Sequence, residues 1–166
     1  MTSQREIAEA QEVLQSLLRG AGFSGFAFGC NFGLWFDRVS GAPVDGLGDP
    51  QELELTIEAN WRIGDEADWQ AKVRRLAPEG AVEPEEPVQA YELASMRWSD
   101  GSNVSDVVLT AGELRVTTQG GATIVIGSSV ERGETAWSIG QRGAPEHEAT
   151  WSVCCVDGVV YVKGSE

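Results

Sequence analysis

Histidine occurs once and cysteine three times in these 166 residues, and 12 basic side chains stand against 26 acidic ones, a formal net charge of −14. Each shortage closes off a class of function. So strong a negative charge repels nucleic acid and anionic membrane surfaces. Three cysteines, Cys30, Cys154 and Cys155, cannot all pair, which suits reduced thiols and a cytoplasmic protein. No C-x-x-C is present, and Cys154 and Cys155 are adjacent on a predicted strand, facing opposite sides, so zinc has no ligand set. The phosphate-binding G-x-x-x-x-G-K-[ST], the dinucleotide G-x-G-x-x-G, the metalloprotease H-E-x-x-H and the nucleophile elbow G-x-S-x-G are all missing. The first 18 residues carry Glu6, Glu9 and Glu12 where a secretory leader would be apolar.

The longest uncharged run, Gly20 to Phe36, is 17 residues, at the lower limit for a membrane helix. Five glycines and Asn31 interrupt it, and Arg19 and Arg38 flank it symmetrically. Phe26, Phe28, Cys30, Phe32, Leu34 and Phe36 instead alternate with period two, which predicts strands.

A helix is predicted from Ser3 to Arg19. Ser3 and Glu6 form a capping box, Ile7, Ala10, Leu14, Leu17 and Leu18 follow at helical spacing, and Gly20 ends it. The cleanest strand places Leu53, Leu55, Ile57, Ala59, Trp61 and Ile63 on one face and Glu54, Thr56, Glu58, Asn60 and Arg62 on the other. Trp69, Val73 and Leu76 suit a short helix within Asp65 to Leu76. Pro78 to Pro87, with three prolines and four glutamates, reads as a linker, and Val88 to Trp98 as a second short helix. Beyond it, Asp100-Gly101, Ala111-Gly112, Gly120-Gly121 and Asp157-Gly158 mark turns between short β-rich runs, predicting an antiparallel meander.

The halves echo each other. Trp61-Arg62-Ile63-Gly64 recurs as Trp137-Ser138-Ile139-Gly140, and Leu14-Gln15-Ser16-Leu17 has a counterpart in Leu93-Ala94-Ser95-Met96. The expectation is an α+β protein, an N-terminal helix plus antiparallel sheets, built by internal duplication. Residues 1–77 would form the first repeat, 78–87 the acidic Pro-rich linker and 88–166 the second repeat, together one compact unit.

Residues capable of chemistry are few. A pairing of Cys30 or Cys155 with His147 competes with the simpler view of inert thiols and a histidine in a solvated turn. Neither catalytic, cofactor-binding nor metal-binding residues are assigned. Of the six tryptophans, Trp61, Trp137 and Trp151 fall on inward strand positions, whereas Trp69 and Trp98 lie among charged or turn residues and are the surface candidates. Asp45 to Glu92 holds 13 acids and four bases. Within it, Glu54, Glu58, Asp65, Glu66 and Asp68, with Trp69, are the candidate partner-binding surface, and Glu83, Glu85 and Glu86 crowd the linker. A solvated face that keeps the protein in solution is the plain alternative. Calcium lacks its D-x-[DN]-x-[DN]-G spacing.

The duplicated pattern resembles a family of small bacterial proteins of unknown function. There, a Trp-Arg-Leu strand is followed by G-x-L, a later glycine, E-A-W-x-L and a Gly-rich closing hairpin. The matching residues here are Trp61-Arg62-Ile63, Gly112-Glu113-Leu114 with Gly120-Gly121, Glu134-Thr135-Ala136-Trp137-Ser138-Ile139 with one residue inserted, and Val153 to Gly158. The resemblance implies a structural kinship, and such proteins are similar to toxin-immunity and other small interaction proteins. The expected function is therefore non-enzymatic protein binding, an immunity-type inhibitor meeting a basic partner through its acidic face. A small-molecule binder or enzyme with a groove between the halves is the alternative. A homo-oligomer stays open.

Overall fold

In the computed structural model, residues 3–39, 41–128, 130–131, 133–144 and 151–164 are described. The chain begins as the capping box requires. The Ser3 hydroxyl accepts from the Glu6 N–H at 3.3 Å and the Glu6 carboxylate accepts from the Ser3 N–H at 2.7 Å, opening α1 (Gln4–Leu18). Those bonds to Ser3, backbone first and side chain second, hold the Glu6 carboxyl below the usual carboxylate range. α1 buries Ala10, Leu14, Leu17 and Leu18.

The glycine-interrupted apolar run is a hairpin of β1 (Gly22–Phe28) and β2 (Phe32–Asp37). No described helix is long and apolar enough to cross a membrane. β3 (Glu52–Ile57) and β4 (Trp61–Ile63) follow, then α2 (Glu66–Leu76) and α3 (Glu85–Arg97). The remainder is β5 (Val104–Leu109), β6 (Glu113–Thr118), β7 (Thr123–Gly127), β8 (Thr135–Gln141), β9 (Ser152–Val156) and β10 (Val159–Lys163). Two antiparallel sheets result, ordered β1-β2-β3-β8-β9-β10 and β4-β7-β6-β5. The α+β class read from the sequence is the class of the fold.

Three expectations are corrected in detail. The run Leu53 to Ile63 is not one strand: β3 and β4 belong to different sheets. At the corner, the N–H groups of Glu58 and Ala59 both donate to the carbonyl of Ala136, each at 2.9 Å. A strand that bends between sheets in this way closes a two-layer core. The C-terminal meander is likewise divided, β5-β6-β7 in one sheet and β8-β9-β10 in the other. The Pro-rich linker is shorter than predicted because α3 starts at Glu85. Pro87 lies in its first turn, where a missing N–H costs no hydrogen bond.

The chain up to residue 77 runs α1-β1-β2-β3-β4-α2 and the chain beyond it α3-β5-β6-β7-β8-β9-β10, so the full element order does not repeat as an internal duplication would have it, and the two parts interlock rather than standing apart. β4 pairs with β7, β8 pairs with β3, α1 packs on β5 and α3 packs on β1. The core is continuous across both sheets. In the larger one, Phe26, Leu34, Leu55, Ile139, Val153 and Val162 form a cross-strand row on the inner face, and Phe28, Phe32, Ile57, Trp137, Cys155 and Val160 form the next.

Candidate functional site

The outer face of the six-stranded sheet carries different chemistry. Its central row is Ala27, Gly33, Thr56, Ser138, Cys154 and Tyr161. Small and hydroxylated side chains leave a trench there, a groove of about 480 Å³ lined by Asn31, Glu54, Thr56, Glu58, Thr135, Ser138, Gly140, Trp151, Ser152, Cys154 and Lys163 among others. It straddles the β3–β8 seam, where the first half of the chain meets the second.

Glycine shapes one wall. A Cβ on Gly33 would lie 2.9 Å from Glu54 Oε1, and one on Gly25 would lie 2.6 Å from the Trp35 ring. Both side chains therefore lie close along the strands, Glu54 over Gly33 and Trp35 over Gly25. The Arg142 guanidinium stacks on Trp35, 3.8 Å from the ring centroid, a contact geometry that favours the cation over the π-face.

A second groove of about 280 Å³ adjoins the first, sharing Asn31 and Glu58 as lining residues. Asn31 Nδ2 donates to Glu58 Oε1 at 3.2 Å across that junction. The second groove is bounded by Phe28, Phe32 and Trp61 from the sheets and by Glu83, Glu85, Glu86 and Gln89 from α3 and the segment before it. Gln89, 4% exposed, fixes the floor by donating from Nε2 to the Trp61 carbonyl at 3.0 Å. The two grooves thus make one trough with five carboxylates along it. Among the described residues, none of Glu54, Glu58, Glu83, Glu85 and Glu86 is in an ion pair. Glu58 is held by Asn31 and Glu85 by Gln70.

The predicted partner surface divides. Glu54 and Glu58 share the trough, as strand parity requires. Asp65, Glu66 and Asp68 instead serve the first turn of α2. Asp65 Oδ1 accepts from the N–H groups of Ala67 and Asp68 at 3.0 and 3.3 Å, and Glu66 meets Arg62 at 3.1 Å. Acids there complement the helix dipole, and none of them lines either groove. Trp69 is corrected outright: it is 1% exposed and part of the core, so no partner can touch it. Trp98, at 82% exposed, is on the surface as expected, and Trp61, Trp137 and Trp151 are core. Two trough features were not assigned from the sequence, the Thr56–Ser138 row and Lys163, nor was the Trp35–Arg142 stack, which lines neither groove. Thr56 was the one with a signal, since it shares the parity of Glu54 and Glu58.

The thiols are graded by position. Cys30 is exposed, Cys154 lines the trough and Cys155 is buried; burial pushes the Cys155 thiol up. His147 lies outside the described residues. Among the described residues no group of three or more His, Cys, Asp or Glu side chains converges on a metal position. Alkylation of the folded protein should label Cys30 first, Cys154 slowly and Cys155 only on unfolding, read by peptide mass mapping. Equal labelling of Cys155 would contradict its burial. The sign of its pH dependence follows: the neutral thiol's contribution to stability is complete below the ordinary thiol pKa of about 8.5 and is lost as pH climbs through the raised value.

Comparison of the chain with family models, with curated proteins and with solved structures finds no match.

Proposed function

We propose that this protein is a non-enzymatic binding module whose trough takes an extended, basic segment of a protein partner. The observation that carries this reading is the set of five carboxylates, in no ion pair among the described residues, along two adjoining grooves, one on the outer face of the six-stranded sheet and one beside α3, which share Asn31 and Glu58. Carboxylates spaced along a groove favour a chain of cations over a compact ligand. Hydroxyls of Thr56, Thr135 and Ser138 between them suit polar and main-chain groups of the segment. The overall charge of −14 steers such a partner toward the surface before contact. An immunity-type inhibitor that covers a basic toxin is the concrete form of this activity.

The alternative is a small polar ligand, favoured by one observation: the larger groove, at about 480 Å³, falls within the ordinary size of ligand pockets.

The discriminating experiment uses fluorescent eight-residue peptides of alternating Lys and Thr, Glu and Thr, or Gln and Thr, read by anisotropy. The Lys peptide should bind, and binding should weaken steeply as the Debye length falls from about 10 Å at 0.1 M salt to about 3 Å at 1 M. Reversing Glu54 and Glu58 to Lys together should weaken it roughly tenfold or more, each exposed charge contributing up to about 1 kcal/mol, with little change in stability. Equal binding of all three peptides, or an unaffected double variant, would remove the basis for this reading.

A further inference from the structure

Phe28 and Phe32 flank the turn of the β1–β2 hairpin and belong to the inward row that continues through Ile57, Trp137 and Cys155. Ile57, Trp137 and Cys155 are fully buried. Phe28 and Phe32 are only half-buried, and both line the second groove. The row is closed by the core at one end and open to the groove at the other.

The rings there stand on edge to one another. Phe28 and Phe32 meet at 4.4 Å and 86°, and Phe32 and Trp61 at 5.1 Å and 79°. A perpendicular pair covers one face of one ring and neither face of the other, which leaves π-surface for a third party. Trp61, itself buried and held at its carbonyl by Gln89, backs Phe32. The electron-rich face of such a ring attracts a cation. Glu58, Glu83, Glu85 and Glu86 line the same groove, and no Lys, Arg or His is among the described residues that line it. Glu85 and Glu86 stand in the first turn of α3 and answer its dipole, so acidity alone selects no ligand there. Glu58, at the corner between β3 and β4, has no such duty, and the rings are an observation independent of charge.

We propose that the second groove binds a quaternary ammonium group, seated against Phe28 and Phe32 with Glu58 and the acids from Glu83 to Glu86 as counter-charge. The rings decide against an ordinary ammonium, which is strongly hydrated and whose N–H donors gain little from them for the water they lose. The carboxylates decide against a neutral apolar ligand, which draws nothing from them. A methylated nitrogen uses both: its methyl groups cover the rings, and its charge is matched without a hydrogen bond. The groove, at about 280 Å³, lies just below the usual range for whole ligands, which starts near about 300 Å³, and so suits a head group. The same head group occurs on free small molecules and on a trimethylated lysine side chain. The site does not depend on the trough taking a protein segment.

The test titrates three molecules of similar shape into the isotope-labelled protein at constant ionic strength, read by amide chemical shifts. They are choline, the neutral alcohol in which a tert-butyl group replaces its trimethylammonium, and protonated ethanolamine. Choline should bind roughly tenfold more tightly than either of the others. Its shifts should centre on Phe28 to Phe32, Glu58 to Trp61 and Glu83 to Gln89. Phe28→Leu keeps apolar bulk without a π-face, and Glu58→Gln keeps shape without charge; each should bring choline toward the affinity of the alcohol. Glu58 is exposed, so its variant keeps the test decisive if the Phe28 variant fails to fold. A Gln–Thr peptide carrying one trimethyllysine identifies the carrier: tighter binding than choline points to a protein segment, and no tighter binding to a small molecule, both in support of the site. Choline equal to ethanolamine would reduce the site to an acidic patch, and choline equal to the alcohol to an apolar cleft. Either result, or the absence of choline-dependent shifts at these residues, would overturn the proposal. Failure of the Lys–Thr peptide to bind the trough bears on none of these readings.

Discussion

Arg38→Ala should lower stability by about 3–5 kcal/mol, the usual cost of breaking a buried charge network by deleting one member. Arg38 follows β2 directly and its side chain is only 6% exposed. Its guanidinium donates to the carbonyls of Leu17 at 2.9 Å, Pro50 at 2.6 Å, Ala42 at 2.7 Å and Ser16 at 3.3 Å, and stands 3.5 Å from Asp49. Ser16 and Leu17 are in the last turn of α1, whose carbonyls have no helical partner and which carries no basic residue of its own. One side chain therefore caps the helix and ties it to the 42–50 loop. Arg38→Lys should recover only part of the loss, since an ammonium keeps the charge but not the planar fork that serves several acceptors at once. In urea or thermal melts, the Ala variant should lose roughly 10 °C or more of melting temperature. A loss below about 1 kcal/mol would show that water replaces the guanidinium at these carbonyls.

Arg38 also illustrates what a sequence conceals. From the sequence it is only the charge that ends an apolar run; its role depends on a loop and a helix end that meet in space. What was legible is what obeys local rules. Ser3 and Glu6 announce a helix start because the capping bonds span three residues. The period-two runs mark strands because each residue's face is set by its neighbours alone. The sheet change at Glu58 to Asn60 was invisible for the same reason: Ala59 stays buried, at 5% exposed, so inward parity passes through the corner unbroken. Trp69 misled because α2, 11 residues long, buries only Trp69 and Val73, and its polar neighbours Asp68 and Gln70 dominate a linear reading.

The trough was half legible. Glu54, Thr56 and Glu58 share a strand face by parity, and that part of the site follows from alternation. Ser138, Cys154 and Lys163 join them only through the β3–β8–β9–β10 pairing, which no local pattern encodes. Asp65, Glu66 and Asp68 looked like a continuation of the acidic surface because they are close in sequence. A helix N-terminus attracts the same residue types for its own reasons, so acidity alone could not separate a cap from a binding surface.

The tryptophans of the repeated Trp-x-Ile-Gly pattern give the second large effect. Trp61 and Trp137 stand on the strands that cross between the halves, Trp61 opposite Ile126 on β7 and Trp137 opposite Ile57 on β3. They are 3% and 1% exposed. Replacing either by Ala should cost about 3–5 kcal/mol, because the surrounding strands close only partly over so large a cavity. Trp137 should fall at the upper end, since β8 is flanked by strands on both sides and cannot collapse inward. Trp61 should fall lower: it packs edge-to-face on Phe32 at 5.1 Å but also borders the second groove, where water can enter the space. Phenylalanine separates volume from polarity. The indole N–H of each is buried with no hydrogen-bond partner among the described residues, so its removal forfeits none of their bonds and relieves a desolvated donor. Trp137→Phe and Trp61→Phe should therefore cost only about 1–2 kcal/mol. Urea melts of the four variants decide the matter. If Phe proves as damaging as Ala, the indole N–H is bonded in solution and the packing account of these two positions fails.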